Sequence, residues 1–162
     1  MKLSANGLKF IEQREGFRSE AYQDSGGVWT NGYGNTVGVT ADTADITEDQ
    51  AADDLQRNVA TAEEIVDDNV MMTLTQNEFD ALVSFVFNVG AGREDTDDRT
   101  GRDGFVTLRN GNQSHLLQYI NNGDFDLAAE EFLKWDKAGG VEVPGLKARR
   151  EAEKALFLTP DA

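Results

Sequence analysis

Apolar residues recur at helical spacing along much of the chain, and runs of turn formers separate those stretches. Leu8, Phe10 and Ile11 line one side of a segment that Ser4 can cap, and Gly16 suits the left-handed turn that closes such a helix, leaving Glu15 on its last turn. Glu20 to Gln23 and Val28 to Tyr33 read as short strands joined through Asp24-Ser25-Gly26-Gly27. A third short strand could form around Val37 to Val39. Thr47-Glu48-Asp49-Gln50 is a capping box. Behind it Ala52, Leu55, Val59, Ala62, Val66 and Val70 keep one face of a long helix able to bridge two lobes. Thr75-Gln76-Asn77-Glu78 is a second box, opening a segment from Phe79 to Val89 that is apolar nearly all round and so reads as a buried central helix. Ser114 and Asp124 are candidate caps for two further helices carrying Leu116, Leu117 and Ile120, then Ala128, Ala129, Phe132 and Leu133. Pro144 suits the first turn of a last helix with Leu146, Ala152 and Leu156 inward.

Residues 93–112 follow no such period. Mixed charge and glycine there predict an inserted surface loop or lid, mostly exposed and among the more mobile segments. Asp95, Asp97 and Asp98 lack the alternating-ligand order and the closing glutamate of an EF-hand, so no metal is expected. The pattern as a whole predicts an α+β fold in a single domain of 162 residues. Residues 17–46 should form a small antiparallel sheet lobe, with 1–16 and 47–158 forming the helices and a helical lobe, and a cleft between the lobes. A chain of this length buries about 70% of its unfolded surface without needing staples, and there is no cysteine to make one.

Charge narrows the functional classes. The formal net charge is −15, which disfavours nucleic-acid binding, since phosphate contacts need clustered Lys and Arg. Between Asp42 and Asp68 ten acidic residues face only Arg57, a solvated acidic face or an adaptation to salt. Lys134, Lys137, Lys147, Arg149, Arg150 and Lys154 make the C-terminal part locally basic. Neither a cleavable leader nor an integral membrane segment is read from the hydropathy, so accumulation in the cytoplasm of the cell that makes the protein is expected.

Candidate chemistry lies between Arg14 and Thr36. At a helix C-terminus the dipole and any apolar neighbours favour the protonated form of Glu15, which suits a general acid. Asp24, at a hairpin mouth with backbone donors close by, is easier to keep ionised and could orient or activate a water with the Thr30 hydroxyl. Two carboxylates in unlike surroundings are the working parts of glycoside hydrolysis. Taken singly, Glu15 could simply close a helix and Asp24 simply build a turn.

The longer string decides between these readings. Glu15-Gly16-Phe17-Arg18, Ala21-Tyr22-x-Asp24 and Gly27-Val28-Trp29-Thr30-x-Gly32-Tyr33-Gly34 resemble the phage-type lysozymes, the muramidase endolysins of tailed bacteriophages. The resemblance continues through Leu74 to Phe85, Phe87-Asn88-Val89-Gly90, Phe132 to Trp135, Lys137 to Gly140, Pro144-Gly145-Leu146 and Arg149 to Glu153. It implies a lysozyme-like fold with Glu15 as proton donor, and Asp24 and Thr30 holding the attacking water. It further implies that Phe87, Asn88, Ser114 and Val143 line the substrate path, and that a separate pore releases the enzyme from the host cytoplasm to the wall. Against the family's commonest strand motif, Asn31 replaces Ile and Asn35 replaces His. Strand alternation aims Asn31 away from the face of Thr30, into the small core of the sheet lobe. An unpartnered amide there would cost about 1–3 kcal/mol.

The residue inventory excludes rival wall chemistries. Without cysteine there is no thiol amidase. The single histidine, His115, cannot build the usual zinc site, and no Gly-x-Ser-x-Gly elbow exists. The resulting expectation is an inverting N-acetylmuramidase acting on peptidoglycan as a monomer, without a cofactor. The alternatives are a lytic transglycosylase on the same bond and an inert wall-binding module.

Overall fold

The computed structural model describes residues 1–161, which fall into two compact units, Ala5–Ala60 and a second made of Met1–Ser4 with the chain from Thr61 onward. Helix α1 (Ala5–Glu15) and helix α2 (Glu48–Asn58) belong to the first unit along with the hairpin β1 (Arg18–Gln23) and β2 (Trp29–Gly32). The sequence reading had grouped both helices with the helical part instead. Packing explains the difference: α2 lies against both α1 and β2, and the contact with β2 requires a glycine. A Cβ on Gly32, whose φ is 57°, would come within 2.9 Å of the Ala51 Cβ and 3.2 Å of the Ile46 Cδ1.

The hairpin is antiparallel, with Tyr22 opposite Thr30, Gln23 opposite Trp29 and an irregularity between Arg18 and Tyr22. No third strand forms. The chain instead folds back on itself within a few residues, Asn31 and Asn35 exchanging both backbone hydrogen bonds at 3.0 and 2.9 Å. The Asn35 side chain then takes hydrogen bonds from the Val37 amide and from Asn58 Nδ2 of α2. Asn35 is thus a buried polar staple with its needs met. Asn31 is not: it is 2% exposed and its Oδ1 has no hydrogen-bond partner among the described residues.

The long helix expected from Thr47 to Val70 is two helices, α2 and α3 (Ala60–Asn69), meeting at Val59. Val59 keeps right-handed helical angles, and its N–H still reaches Leu55 O. The periodic positions Leu55, Val59, Ala62 and Val66 are accordingly all buried, as their spacing requires.

The second unit is organised around α4 (Gln76–Val89), in which every residue from Phe79 to Val86 is buried. Thr75 and Glu78 complete the predicted capping box. Helices α5 (His115–Asn122), α6 (Phe125–Phe132) and α7 (Pro144–Phe157) complete the helical set, α7 packing on α4 and α6. Asp124 precedes α6 without a side-chain capping bond. Phe85 is the aromatic hub, meeting Phe105, Phe132 and Trp135 edge-on at centroid distances of 6.3, 5.3 and 5.4 Å; each such pair adds about 0.5–1.5 kcal/mol beyond area burial. Two buried acids tie residues 2–4 to the helices. Glu63 accepts from the Leu3 amide and Lys2 Nζ, while Asp80 accepts from the Ser4 amide, Ser4 Oγ and Gln76 Nε2.

The sequence pattern missed a second hairpin, β3 (Lys137–Ala138) and β4 (Val141–Glu142), closed by Gly139 and Gly140 with φ of 58° and 81°. The glycine pair between two extended residues was its available signal.

Residues 93–100 are exposed, as expected of an inserted loop, but the segment is neither bare nor loose in its bonding. Arg93 bridges Arg102, Thr96 bridges Arg99 and Thr107 bridges Gln113. Gly101, Gly104 and Phe105 are buried, and Phe105 reaches the aromatic hub. Gly92 and Gly104 bring two backbone runs so close that a Cβ on Gly104 would lie 2.0 Å from Gly92 N. Asp95 organises the excursion by accepting from the Gly101 amide and from the Arg109 guanidinium. These donors, the backbone one foremost, hold its carboxyl below the ordinary 3.8.

Two predictions follow from these environments. Asn31→Val removes an orphaned buried oxygen at nearly constant volume, and should raise the unfolding free energy by about 1–3 kcal/mol in denaturant titration. Because the folded value of Asp95 is depressed, its contribution is complete above 3.8 and lost only as pH falls through that lower folded value. The Gly101 amide resonance should therefore keep its position across neutral and mildly acidic pH and move only below pH 3.8. Titration of that resonance near neutrality would contradict the assignment.

Candidate active site

The three proposed catalytic residues lie in one unit, on consecutive pieces of backbone. Glu15 is the last residue of α1; Gly16, at φ 71°, turns the chain into β1 and donates its N–H to Glu12 O at 3.1 Å. The half-buried Glu15 side chain reaches toward the end of the β2 turn, where a Cβ on Gly34 would lie 3.7 Å from its Oε2. Beside this carboxyl, Phe17 and Tyr33 pack with centroids 5.6 Å apart. Burial first, then the carboxylates of Glu12 and Glu48, push the Tyr33 phenol upward, so it stays a neutral donor.

Asp24 follows β1 and is exposed. One carboxylate oxygen builds the turn: Oδ1 accepts from the Gly26 and Val28 amides at 2.8 and 2.9 Å. Among the described residues Oδ2 takes no hydrogen bond. Thr30, on β2 and 4% exposed, donates its hydroxyl hydrogen to Val28 O at 2.9 Å. That same carbonyl receives the Asp24 amide at 2.9 Å. Asp24 and Thr30 are therefore joined through a single peptide unit, and what they present outward is acceptor capacity: a free carboxylate oxygen and the hydroxyl lone pairs. A water donating both hydrogens to this pair would have its own lone pair directed away from them, as a nucleophile requires.

The expected substrate-lining residues sit in the other unit. Phe87 and Asn88 are on the last turn of α4, half-buried and exposed respectively, and Val143 is a half-buried residue at the start of α7. Ser114 differs from the expectation: it is 0% exposed, its hydroxyl donating to Phe105 O and accepting from the Leu117 amide. It is a helix cap with no exposed atom. Arg149 and Arg150 are buried around Glu153. Glu153 Oε1 takes Arg149 Nε at 3.0 Å and Ser84 Oγ at 2.8 Å, and Oε2 takes Arg150 Nη1. Arg150 also donates to Trp135 O and to Asn88 Oδ1. Burial lowers the Arg150 guanidinium from its ordinary value while Glu153 opposes that shift. Among the described residues no group of three or more His, Cys, Asp or Glu is arranged for a metal, and no helix is long and apolar enough to cross a membrane.

Comparison with known proteins bears on the family and the fold. The family model described as phage lysozyme matches residues 12–153. An endolysin of Acyrthosiphon pisum secondary endosymbiont phage 1 is 38% identical over 97% of the chain and 98% of its own length. Among solved structures, the muramidase domain of SpmX from Asticaccaulis excentricus superposes with a TM-score of 0.78 at 32% identity, covering 98% of this chain and 99% of that one. A variant of P22 lysozyme gives the same TM-score of 0.78 at 31% identity, with 98% and 99% covered. With an α+β lysozyme-like fold and a family match over most of its length, this chain belongs to the phage lysozyme family.

Proposed function

We propose that the protein is a peptidoglycan hydrolase of cell lysis, an N-acetylmuramidase that cleaves the β-1,4 bond between N-acetylmuramic acid and N-acetylglucosamine with inversion. Family membership supports the wall-lytic class. The observation that carries the mechanism is the divided use of Asp24, with Oδ1 spent on the turn and Oδ2 open, while Asp24 N and the Thr30 hydroxyl share the Val28 carbonyl.

In this reading Glu15 protonates the departing glycosidic oxygen as the bond to the anomeric carbon breaks. Asp24 Oδ2 accepts a proton from the water attacking the opposite face of that carbon, and Thr30, its own hydrogen committed to Val28 O, accepts the water's second hydrogen bond. Asp24 acts on a water rather than on the sugar directly, which gives inversion. Phe87, Asn88 and Val143, which retain accessible atoms, are the proposed sugar contacts of the helical unit. Ser114 is not among them. The chain is read as working without a cofactor and as a monomer, held in the host cytoplasm before release to the wall.

Glu15→Gln should retain the fold and lower wall lysis by about 10²–10⁴-fold, since the amide has no proton to give; near-parental turbidity loss would remove Glu15 from the acid role. On a soluble glycan oligomer, the parent should yield reducing ends whose first-formed anomer is inverted. Anhydro-muramic ends in the mass spectrum would establish a lytic transglycosylase instead. Sedimentation with walls but no turbidity loss would establish a binding module.

A further inference from the structure

An open cavity of the helical unit, about 790 Å³, is basic, although the whole chain carries a net charge of −15. Arg102, Arg109, Lys134, Lys137 and Arg150 line it against a single acid, Asp103. Three of these cations are already neutralised, Arg109 by Asp95, Lys134 by Glu131 and Arg150 by Glu153. Arg102 and Lys137 have no acidic partner among the described residues. They come from the 93–112 excursion and from the β3–β4 hairpin, the second of which the sequence pattern did not anticipate.

The polarity of the wall is as one-sided as its charge. Asn88 borders the cavity, and with Arg150 already on its Oδ1 it has both Nδ2 hydrogens to offer. The sole carboxylate, Asp103, already takes the Arg109 amide on Oδ1 at 2.7 Å. A cavity lined by guanidinium, ammonium and amide donors selects a ligand that is all acceptor. Its volume lies in the range of ligand sites and exceeds what one isolated ion fills. A planar guanidinium fork and a mobile ammonium together suit phosphate oxygens.

We propose that this basin binds a phosphodiester-linked polyol polymer of the bacterial wall, with Arg102 and Lys137 as its principal anchors. It rests on the wall-hydrolase reading only for the source of the phosphate. The site holds the enzyme to an anionic wall that its global charge would otherwise repel. At about 0.15 M ionic strength the screening length is about 8 Å, so cations bordering the basin act on the polymer while charges well beyond that length are largely screened.

The test is calorimetric titration of the full chain with a soluble glycerol-phosphate oligomer at physiological ionic strength, alongside an oligoglutamate of equal charge. Saturable binding of the phosphate oligomer is expected. It should weaken at least tenfold in Arg102→Ala/Lys137→Ala, with an unchanged thermal midpoint showing that the fold is intact. Lys137→Glu, on the exposed hairpin, provides a second variant should the double substitution unfold. The Asn88 side-chain NH₂ resonances should shift on binding. Absence of saturable binding, equal binding by the variants, or equal affinity for oligoglutamate would overturn the proposal. Lysis of walls chemically stripped of phosphate polymer is read in parallel. Absence of lysis on both intact and stripped walls would sink the hydrolase reading and leave the titration unaffected.

Discussion

A buried carboxylate sets the register of the helical unit. Glu153 is 0% exposed and has two arginines and a serine hydroxyl on its oxygens. Through Arg150 the same network reaches Trp135 O and Asn88 Oδ1, so α4, α7 and the chain entering the β3–β4 hairpin are fixed by one cluster of charge. Such a cluster is stable only when complete. Removing one member of a buried pair typically costs about 3–5 kcal/mol because the remaining charge has no solvent to turn to. Phe85 closes the cluster from beneath, with the Arg150 guanidinium 4.9 Å above its ring. The Arg150 and Asn88 side of the basin is thus a by-product of how this core is neutralised.

The hairpin unit solves a different problem. Asp24 must be held by the fold and yet remain chemically open, and it achieves this by giving one oxygen to each task. The adjoining glycines serve the same end. Gly32 lets β2 approach α2, where a Cβ would collide with Ala51, and Gly34, at φ 82°, takes a turn conformation that other residues rarely adopt.

Much of this was legible in the residues. The two capping boxes, the end of α1 at Gly16 and the β1–β2 pairing follow from local chemistry, which is strongest at helix termini and tight turns. The burial of Asn31 agrees with the sequence expectation, but that its Oδ1 lacks a partner is seen only in the fold. What sequence did not show was tertiary in origin. Val59 interrupts the ladder while preserving the hydrophobic period, so periodicity could not reveal it. Ser114 reads equally well as a cap or a contact until Phe105 is seen to occupy its hydroxyl. Phe105, followed by Val106 and Leu108 in a largely polar and aperiodic run, was the sign that the 93–112 stretch is anchored. The basin escaped notice because its cations are scattered from Arg102 to Arg150 and meet only in the fold.

The close approach of Gly92 and Gly104 also bears on how this architecture tolerates change in length. The two backbones are clamped where no side chain fits, and the Arg93–Arg102 bridge seals the neck just beyond. The residues outside that neck, with Thr96 to Arg99 closing a turn of their own at the tip, hang from a fixed collar. Insertions or foreign peptides placed at Asp97-Asp98 would lengthen a tethered appendage while the aromatic hub beneath kept its register. The collar thus makes the tip a natural grafting point for epitopes or wall-targeting peptides.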